Sequence, residues 1–268
     1  MPPERRALIA GLGLIGGSIG IALRRGGWRV TYVDPNVSLD DATRAGAADE
    51  RAASLDAAVD LTVLATPVDA AVASIGQCRT LATSVCSVMA PLRSAADAQG
   101  VAFVAGHPLA GSQERGLRAA RGDLFEGASG FLDRDQAVVQ ELITACGARA
   151  ERIDAGDHDR AAALTSHLPQ ILSTALAAYL HDQHVDLRFA GSGLRTFLRL
   201  AGSHASVWSP IIAANRENIA PHADAIERLV KEIVEGEPAE AFAKANQWSA
   251  GVSPPAGPEG SRRRNEGD

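Results

Sequence analysis

The chain has 268 residues, 46% hydrophobic and 22% charged, with a formal net charge of −6. That is an ordinary globular composition, with room for two domains of ~100–200 residues each. The acidic balance argues against a nucleic-acid partner, which is normally met by a basic face.

Through the first half, short apolar runs alternate with helical stretches, as in a parallel sheet with crossover helices. Strands are expected at 7–10, 29–33, 61–65, 84–86, 101–104, 130–132 and 149–153, with a helix at 15–24 after the first. Near Asp157 the character changes. Ala161, Leu164, Leu168, Ile171, Leu172, Ala175, Leu176 and Tyr179 recur at helical spacing, with Asp157 and Asp159 read as acids at the helix N-terminus. Pro169 lies inside that pattern and predicts a kink, since it removes one N–H from the ladder. Gly191-Ser192-Gly193 breaks the chain, Ser209-Pro210 is read as the start of another helix, and Glu237-Pro238 as the start of a last one. After Trp248, Pro and Gly dominate and predict a disordered tail.

The fold class expected is α/β: a Rossmann-type, doubly wound parallel sheet over 1–153, an all-helical domain over 154–247, and a tail over 248–268. The helical part is small and rich in alanine, so it buries little core alone. Packing against a second copy solves that problem, and a homodimer is expected. The three cysteines, Cys78, Cys86 and Cys146, are odd in number and lack C-x-x-C spacing. They predict a reducing compartment and no zinc or other metal site. No signal peptide and no apolar run of ~20 residues is present, so the reading is cytoplasmic and without membrane partners.

The first motif is Gly11-Leu12-Gly13-Leu14-Ile15-Gly16. A G-x-G-x-x-G is weak by itself, but this one follows a predicted strand and opens a predicted helix. Asp34 ends the next strand about 20 residues on, as the dinucleotide fingerprint requires. Gly11 permits the tight turn, Gly13 lets a pyrophosphate approach the backbone, and Gly16 lets helix and strand pack closely. The helix N-terminus offers free N–H groups to the phosphates. A carboxylate at Asp34 would accept from ribose hydroxyls and repel a 2′-phosphate, so the cofactor expected is NAD. Thr66-Pro67 falls at the carboxyl edge of the third strand, where such sheets bind ligands.

Three further segments carry chemistry: Cys86-Ser87-Val88-Met89; Gly106-His107-Pro108-Leu109-Ala110-Gly111-Ser112; and, split across the helical half, Ser166-His167-Leu168-Pro169-Gln170 with 191–201 and Trp208. In order and spacing the chain resembles the prephenate/arogenate dehydrogenases of tyrosine biosynthesis from about Arg6 to Glu235. The resemblance implies oxidative decarboxylation of a cyclohexadienyl acid, with His107 as general base and Ser87 bonded to the same hydroxyl. It implies Arg199 on a substrate carboxylate and Gln170 at a position beside the substrate's side chain, while His167 is read as bracing the kinked helix or lining the substrate cleft. An imidazole near its ordinary pKa of ~6.5 accepts a proton at neutral pH, and a guanidinium grips a carboxylate bidentately.

Two positions depart from the family pattern: Gln170 replaces a frequent histidine and Met89 a frequent lysine. They leave prephenate and arogenate both open, with prephenate preferred because no carboxylate in these motifs is poised to pair an ammonium. A β-hydroxyacid dehydrogenase would place a lysine on the long helix, and 157–183 holds none. A catalytically silent NAD-binding protein is the rival of another class.

Overall fold

The most apolar stretches of the chain form the middle of one sheet. The computed structural model describes residues 4–110 and 114–251. In it, β1 (Arg6–Ala10), β2 (Arg29–Val33), β3 (Glu50–Arg51), β4 (Leu61–Leu64), β5 (Ala82–Ser84) and β6 (Phe103–Val104) pair in the order β3-β2-β1-β4-β5-β6. Every pairing is parallel. Alternation along β1 feeds both faces: Ala7 and Ile9 pack with Trp28, Val30 and Val63, while Leu8 and Ala10 pack with Leu64, Val68 and Leu92. Helices α1 (Leu14–Arg25), α2 (Leu39–Arg44), α3 (Val68–Ser74) and α4 (Ala90–Gln99) make the crossovers. Strand order reverses at β1 and β4, which opens a crevice at their carboxyl ends.

The runs at 130–132 and 149–153 leave this sheet. With β7 (Gly106–Pro108), β8 (Ser129–Leu132) and β9 (Arg149–Arg152) make a separate sheet, with β7/β8 antiparallel and β8/β9 parallel. α5 (Ala137–Ala145) connects its last two strands. Strand β7 carries His107 and has no apolar run to announce it. The expected strand at 84–86 lies earlier, because pairing with β4 ends at Ser84.

α6 (Ala155–Ala162) is N-capped by Asp154, whose carboxylate accepts from the N–H groups of Gly156 and Asp157. Asp159 is therefore not a terminal acid, as expected, but sits on the helix's buried face. Ala163–His167 forms a π-helical turn, and α7 (Leu168–Asp182) follows with Pro169 in its first turn. The irregularity expected from Pro169 thus takes the form of one wide turn ahead of it. α8 (Ser192–Phe197), a 3₁₀ turn at Leu198–Gly202, α9 (Ala205–Ala214), α10 (Arg216–Glu235) and α11 (Ala239–Ser249) complete the described chain. Ser209-Pro210 lies inside α9 and does not start it; His204 caps that helix by accepting from Ser206 N–H. α11 runs past Trp248 to Ser249, and most of the expected tail, 252–268, lies outside the described residues.

Packing divides the chain into two units, one ending at Ala220 and one beginning at Pro221. Both sheets and helices α6 to α9 belong to the first. The second leaves Val234, Phe242 and Trp248 exposed.

A Cβ on Gly20 would lie 2.1 Å from the Ala47 carbonyl oxygen, a backbone atom that cannot swing aside. Gly20→Ala is expected to cost roughly 1–3 kcal/mol by urea unfolding. Gly191→Ala, with nothing within 4 Å of its Cβ, should change stability by under ~0.5 kcal/mol.

Candidate active site

The glycine loop has the shape a pyrophosphate needs. Gly11 adopts φ +85°, and a Cβ there would lie 2.7 Å from the Ala65 carbonyl oxygen. A Cβ on Gly16 would lie 2.0 Å from the Gly11 carbonyl oxygen, whereas one on Gly13 would meet nothing within 4 Å. Gly13 instead borders an open cleft of about 540 Å³, together with Leu14 and Ile15. Leu12 turns its side chain into the core. The first turn of α1 carries no acid, so its N–H groups face no competing carboxylate there. Asp34, just past β2, accepts from Leu12 N–H and Asn36 N–H, each at 2.8 Å, and so holds the loop it is expected to serve. Arg51 donates to the Asp34 carbonyl at 3.1 Å. Thr66 also lines the cleft, and its buried hydroxyl has no hydrogen-bond partner among the described residues. An open glycine, an unpaired hydroxyl and a helix N-terminus at one crevice fit a dinucleotide.

Ser87 and Arg199 reach the same cleft from opposite ends of the chain, Ser87 from the turn before α4 and Arg199 from the 3₁₀ turn. Gln170 does not line it. Its amide nitrogen donates to the Leu200 carbonyl at 2.8 Å and to Thr174 at 3.0 Å, and its amide oxygen accepts from Ser203 at 3.1 Å. Buried among these partners, Gln170 fixes the turn that presents Arg199. Met89 is fully buried in an apolar cluster with Leu92 and Phe103. A lysine there would be a buried charge, so the departure from the family pattern falls in the core.

His107 is half-buried and lines a small apolar cavity of about 50 Å³ beside the cleft, with Val85 bordering both. Gly111 and Ser112 of its motif lie outside the described residues. Nδ1 of His107 is 2.9 Å from Nε2 of His158, whose Nδ1 is 2.7 Å from Asp159 Oδ1. Asp159 also accepts from Met89 N–H and Ala90 N–H, each at 2.8 Å. Asn215 donates to the Asp159 carbonyl at 2.8 Å and lies 3.0 Å from Nδ1 of His167. The His167 ring stands edge-on to Trp208 at 6.0 Å, so it braces a cleft residue from behind. Nε2 of His167 is buried without a partner among the described residues. Burial, helped by the neighbouring His158 and His167, pushes the His107 pKa down from 6.5 to about 4, against the pull of Asp159.

His158, Asp159 and Asn215 escaped the sequence reading. A signal for the first two was present: Ala155, His158, Asp159 and Ala162 are the buried residues of α6. That is the i, i+3, i+4, i+7 stripe of an amphipathic helix with two ionisable groups in its centre.

Residues 19–150 match the family model described as "Prephenate dehydrogenase, nucleotide-binding domain", and residues 154–245 the one described as "Prephenate dehydrogenase, dimerization domain". The chain is 37% identical over 246 residues to the "Probable prephenate dehydrogenase NovF" of Streptomyces niveus, spanning 85% of this chain and 67% of that protein. The chain belongs to the prephenate dehydrogenase family. It is also 32% identical to the prephenate dehydrogenase of Bacillus subtilis over 84% of this chain and 67% of the relative. Among solved structures of the family, prephenate dehydrogenase from A. aeolicus, in complex with hydroxyphenyl propionate and NAD+, superposes with a TM-score of 0.80 at 25% identity. The match covers 92% of this chain and 96% of that one.

Asp34→Ser removes the charge that would oppose a 2′-phosphate and leaves Arg51 beside the site. The ratio of NADP to NAD affinity, measured by fluorescence titration, should rise on the order of tenfold or more. An unchanged ratio would take Asp34 out of ribose recognition.

Proposed function

We propose that this chain is an NAD-dependent enzyme that oxidatively decarboxylates prephenate to 4-hydroxyphenylpyruvate, the ring losing a hydride and CO2 as it becomes aromatic, while its hydroxyl proton is lent to a base and returned to the phenol oxygen. The observation that carries this reading is a neutral, half-buried imidazole, His107, beside a cleft that joins a dinucleotide loop to Ser87 and Arg199. Family membership supplies the substrate class.

Gly11 to Gly16, Asp34 and Thr66 would hold the dinucleotide, with backbone N–H groups toward its phosphates. When bound there, NAD supplies the acceptor for the ring's hydride. His107 takes the proton of the ring hydroxyl, and Ser87 hydrogen-bonds that hydroxyl and keeps it in line with the imidazole. Arg199 grips a carboxylate of the substrate, and Gln170 supports it from behind. Trp208, backed by His167, walls off the ring.

One observation favours arogenate as a second reading. Glu114 borders the cleft, where a carboxylate would suit an ammonium; Arg115 and His204 beside it suit the pyruvyl carboxylate of prephenate. Parallel turnover assays with the two acids separate these readings, and no NADH from either would favour a silent NAD-binding protein.

A homodimer is the working form we infer. The match of 154–245 to a dimerization model supports it, as do Leu187 and Phe189, which are 82% and 78% exposed. Sedimentation should give twice the 27.8 kDa chain mass. No helix among the described residues is long and apolar enough to cross a membrane. The free thiols of Cys78, Cys86 and Cys146 support a cytoplasmic location.

His107→Asn should lower kcat by ~10²–10⁴ with NAD binding intact; a wild-type rate would remove His107 from its role. Because the folded imidazole titrates below 6.5, it is already the free base at neutral pH. The acid limb of kcat/KM should therefore lie below pH 6.5. Arg199 is exposed in the cleft wall, so Arg199→Ala should raise the KM for prephenate by the loss of a charged hydrogen bond, about 1.5–3 kcal/mol. A wild-type KM would mark the arginine as a surface charge.

A further inference from the structure

Two buried ionisable residues, His158 and Asp159, take no part in the steps above. Their side chains are 3% and 1% exposed. Capping of α4 accounts for Asp159, whose carboxylate accepts the Met89 and Ala90 N–H groups. It does not account for an imidazole placed between that carboxylate and His107.

The contacts leave a single proton arrangement for two neutral rings. An ionised carboxylate only accepts, so His158 must donate from Nδ1 to Asp159 Oδ1. Nε2 of a neutral His158 then bears a lone pair and accepts, so His107 must donate to it from Nδ1. Nε2 of His107 is left unprotonated, in the form a base requires. If His158 were instead cationic, both its nitrogens would donate. His107 would then accept at Nδ1, carry its proton on Nε2 and be unable to act.

We propose that His158, oriented by Asp159, is a positioning residue that fixes which nitrogen of His107 is the base and receives a proton from it during turnover. This rests on the reading of His107 as the base. The step balances: the hydroxyl O–H bond breaks as an N–H bond forms at His107 Nε2. The proton on His107 Nδ1 passes to His158 Nε2. His107 ends neutral, and His158 ends as a cation paired with the Asp159 carboxylate. The relay moves the new charge one ring deeper, onto a carboxylate already in place.

The charged and titratable groups facing this pair come from three elements. Asp159 adjoins His158 on α6, His167 comes from the π-helical turn, and Arg149 of β9 lines the cavity that His107 borders. Phe131 of β8 stands edge-on to His158 at 5.6 Å and excludes water from one side. Of these groups, Asp159 alone favours a proton on the pair.

The decisive variant is His158→Gln, whose amide oxygen can still accept from His107 but cannot take up a proton. With His158→Gln, NAD affinity and the KM for prephenate should stay within about twofold, while kcat falls ~10–100-fold, the usual scale for a residue that orients another. The acid limb of kcat/KM should move to lower pH, because a buried imidazole has lost the partner that shared its charge. An unchanged kcat and pH profile, with His107→Asn inactive, would overturn the relay and leave the base assignment standing. Wild-type activity in His107→Asn would overturn the base assignment itself. A limb that moved to higher pH would mean that His158 merely repels a proton from His107. Should the variant not fold, ¹⁵N-histidine NMR of the wild-type protein with NAD decides. His107 must show a protonated Nδ1 and a bare Nε2, and the opposite tautomer would overturn the proposal.

Discussion

The structure turns on one buried carboxylate. Asp159 lies on a helix that follows both sheets, yet it accepts the first free N–H groups of α4, which leads away from the turn holding Ser87. One of these oxygens, Oδ1, also orients His158, and through it His107 on β7. Its backbone carbonyl receives Asn215, which also meets His167 behind Trp208. One residue, through its side chain and its carbonyl, thus sets the relative places of three segments that the sequence keeps far apart. A buried ion of this kind persists only when its lone pairs are fully occupied, and here helix N–H groups and an imidazole occupy them.

Arg199 is supported by a different device. The turn that carries it is short and exposed, with little apolar surface to anchor it. Gln170 and Ser173 on α7 supply the anchorage by hydrogen bonds to Leu200, Ser203 and Phe197. Arg199 is therefore held by a polar patch and His107 by a buried ionic one. The two supports lie on either side of the π-helical turn. Substitutions at Gln170 and at Asp159 should then be close to independent in their effects, as expected for residues with no shared partner.

The middle of the parallel sheet was legible because its strands are largely apolar, and β2 was expected at the residues where it lies, whereas the charged edge strand β3, Glu50–Arg51, was not expected. The glycine loop was legible because Gly11 and Gly16 stand where a Cβ would collide with backbone, while Gly13 leaves the cleft open. What escaped was polar and tertiary. Strand β7, Gly106-His107-Pro108, pairs through its backbone without an apolar run to mark it. Gln170 has the composition of a ligand contact, and only the position of the 3₁₀ turn reveals that its amide is satisfied from within. Asp159 followed the rule for acids near a helix start, but Asp154 already fills the cap. The rule was sound and the helix began earlier. Met89 was counted as a lost charge in the cleft, when its side chain never reaches the cleft.

The wide turn at Ala163–His167 has a consequence for azimuth. Each residue of an α-helix advances by about 100° around the axis, and a π turn takes up one residue more than the regular count, so everything after it is set back by about that angle. Asp159 and His158 point toward α4 and β7, while Gln170 and Ser173, one and two turns beyond the wide turn, point toward Leu198–Gly202. Without that offset, the second pair would face another quarter of the compass and the guanidinium-bearing turn would have nothing to lean on. The wide turn, with Pro169 in the first turn beyond it, thereby acts as the gear tooth that lets one rod of helix serve two different faces.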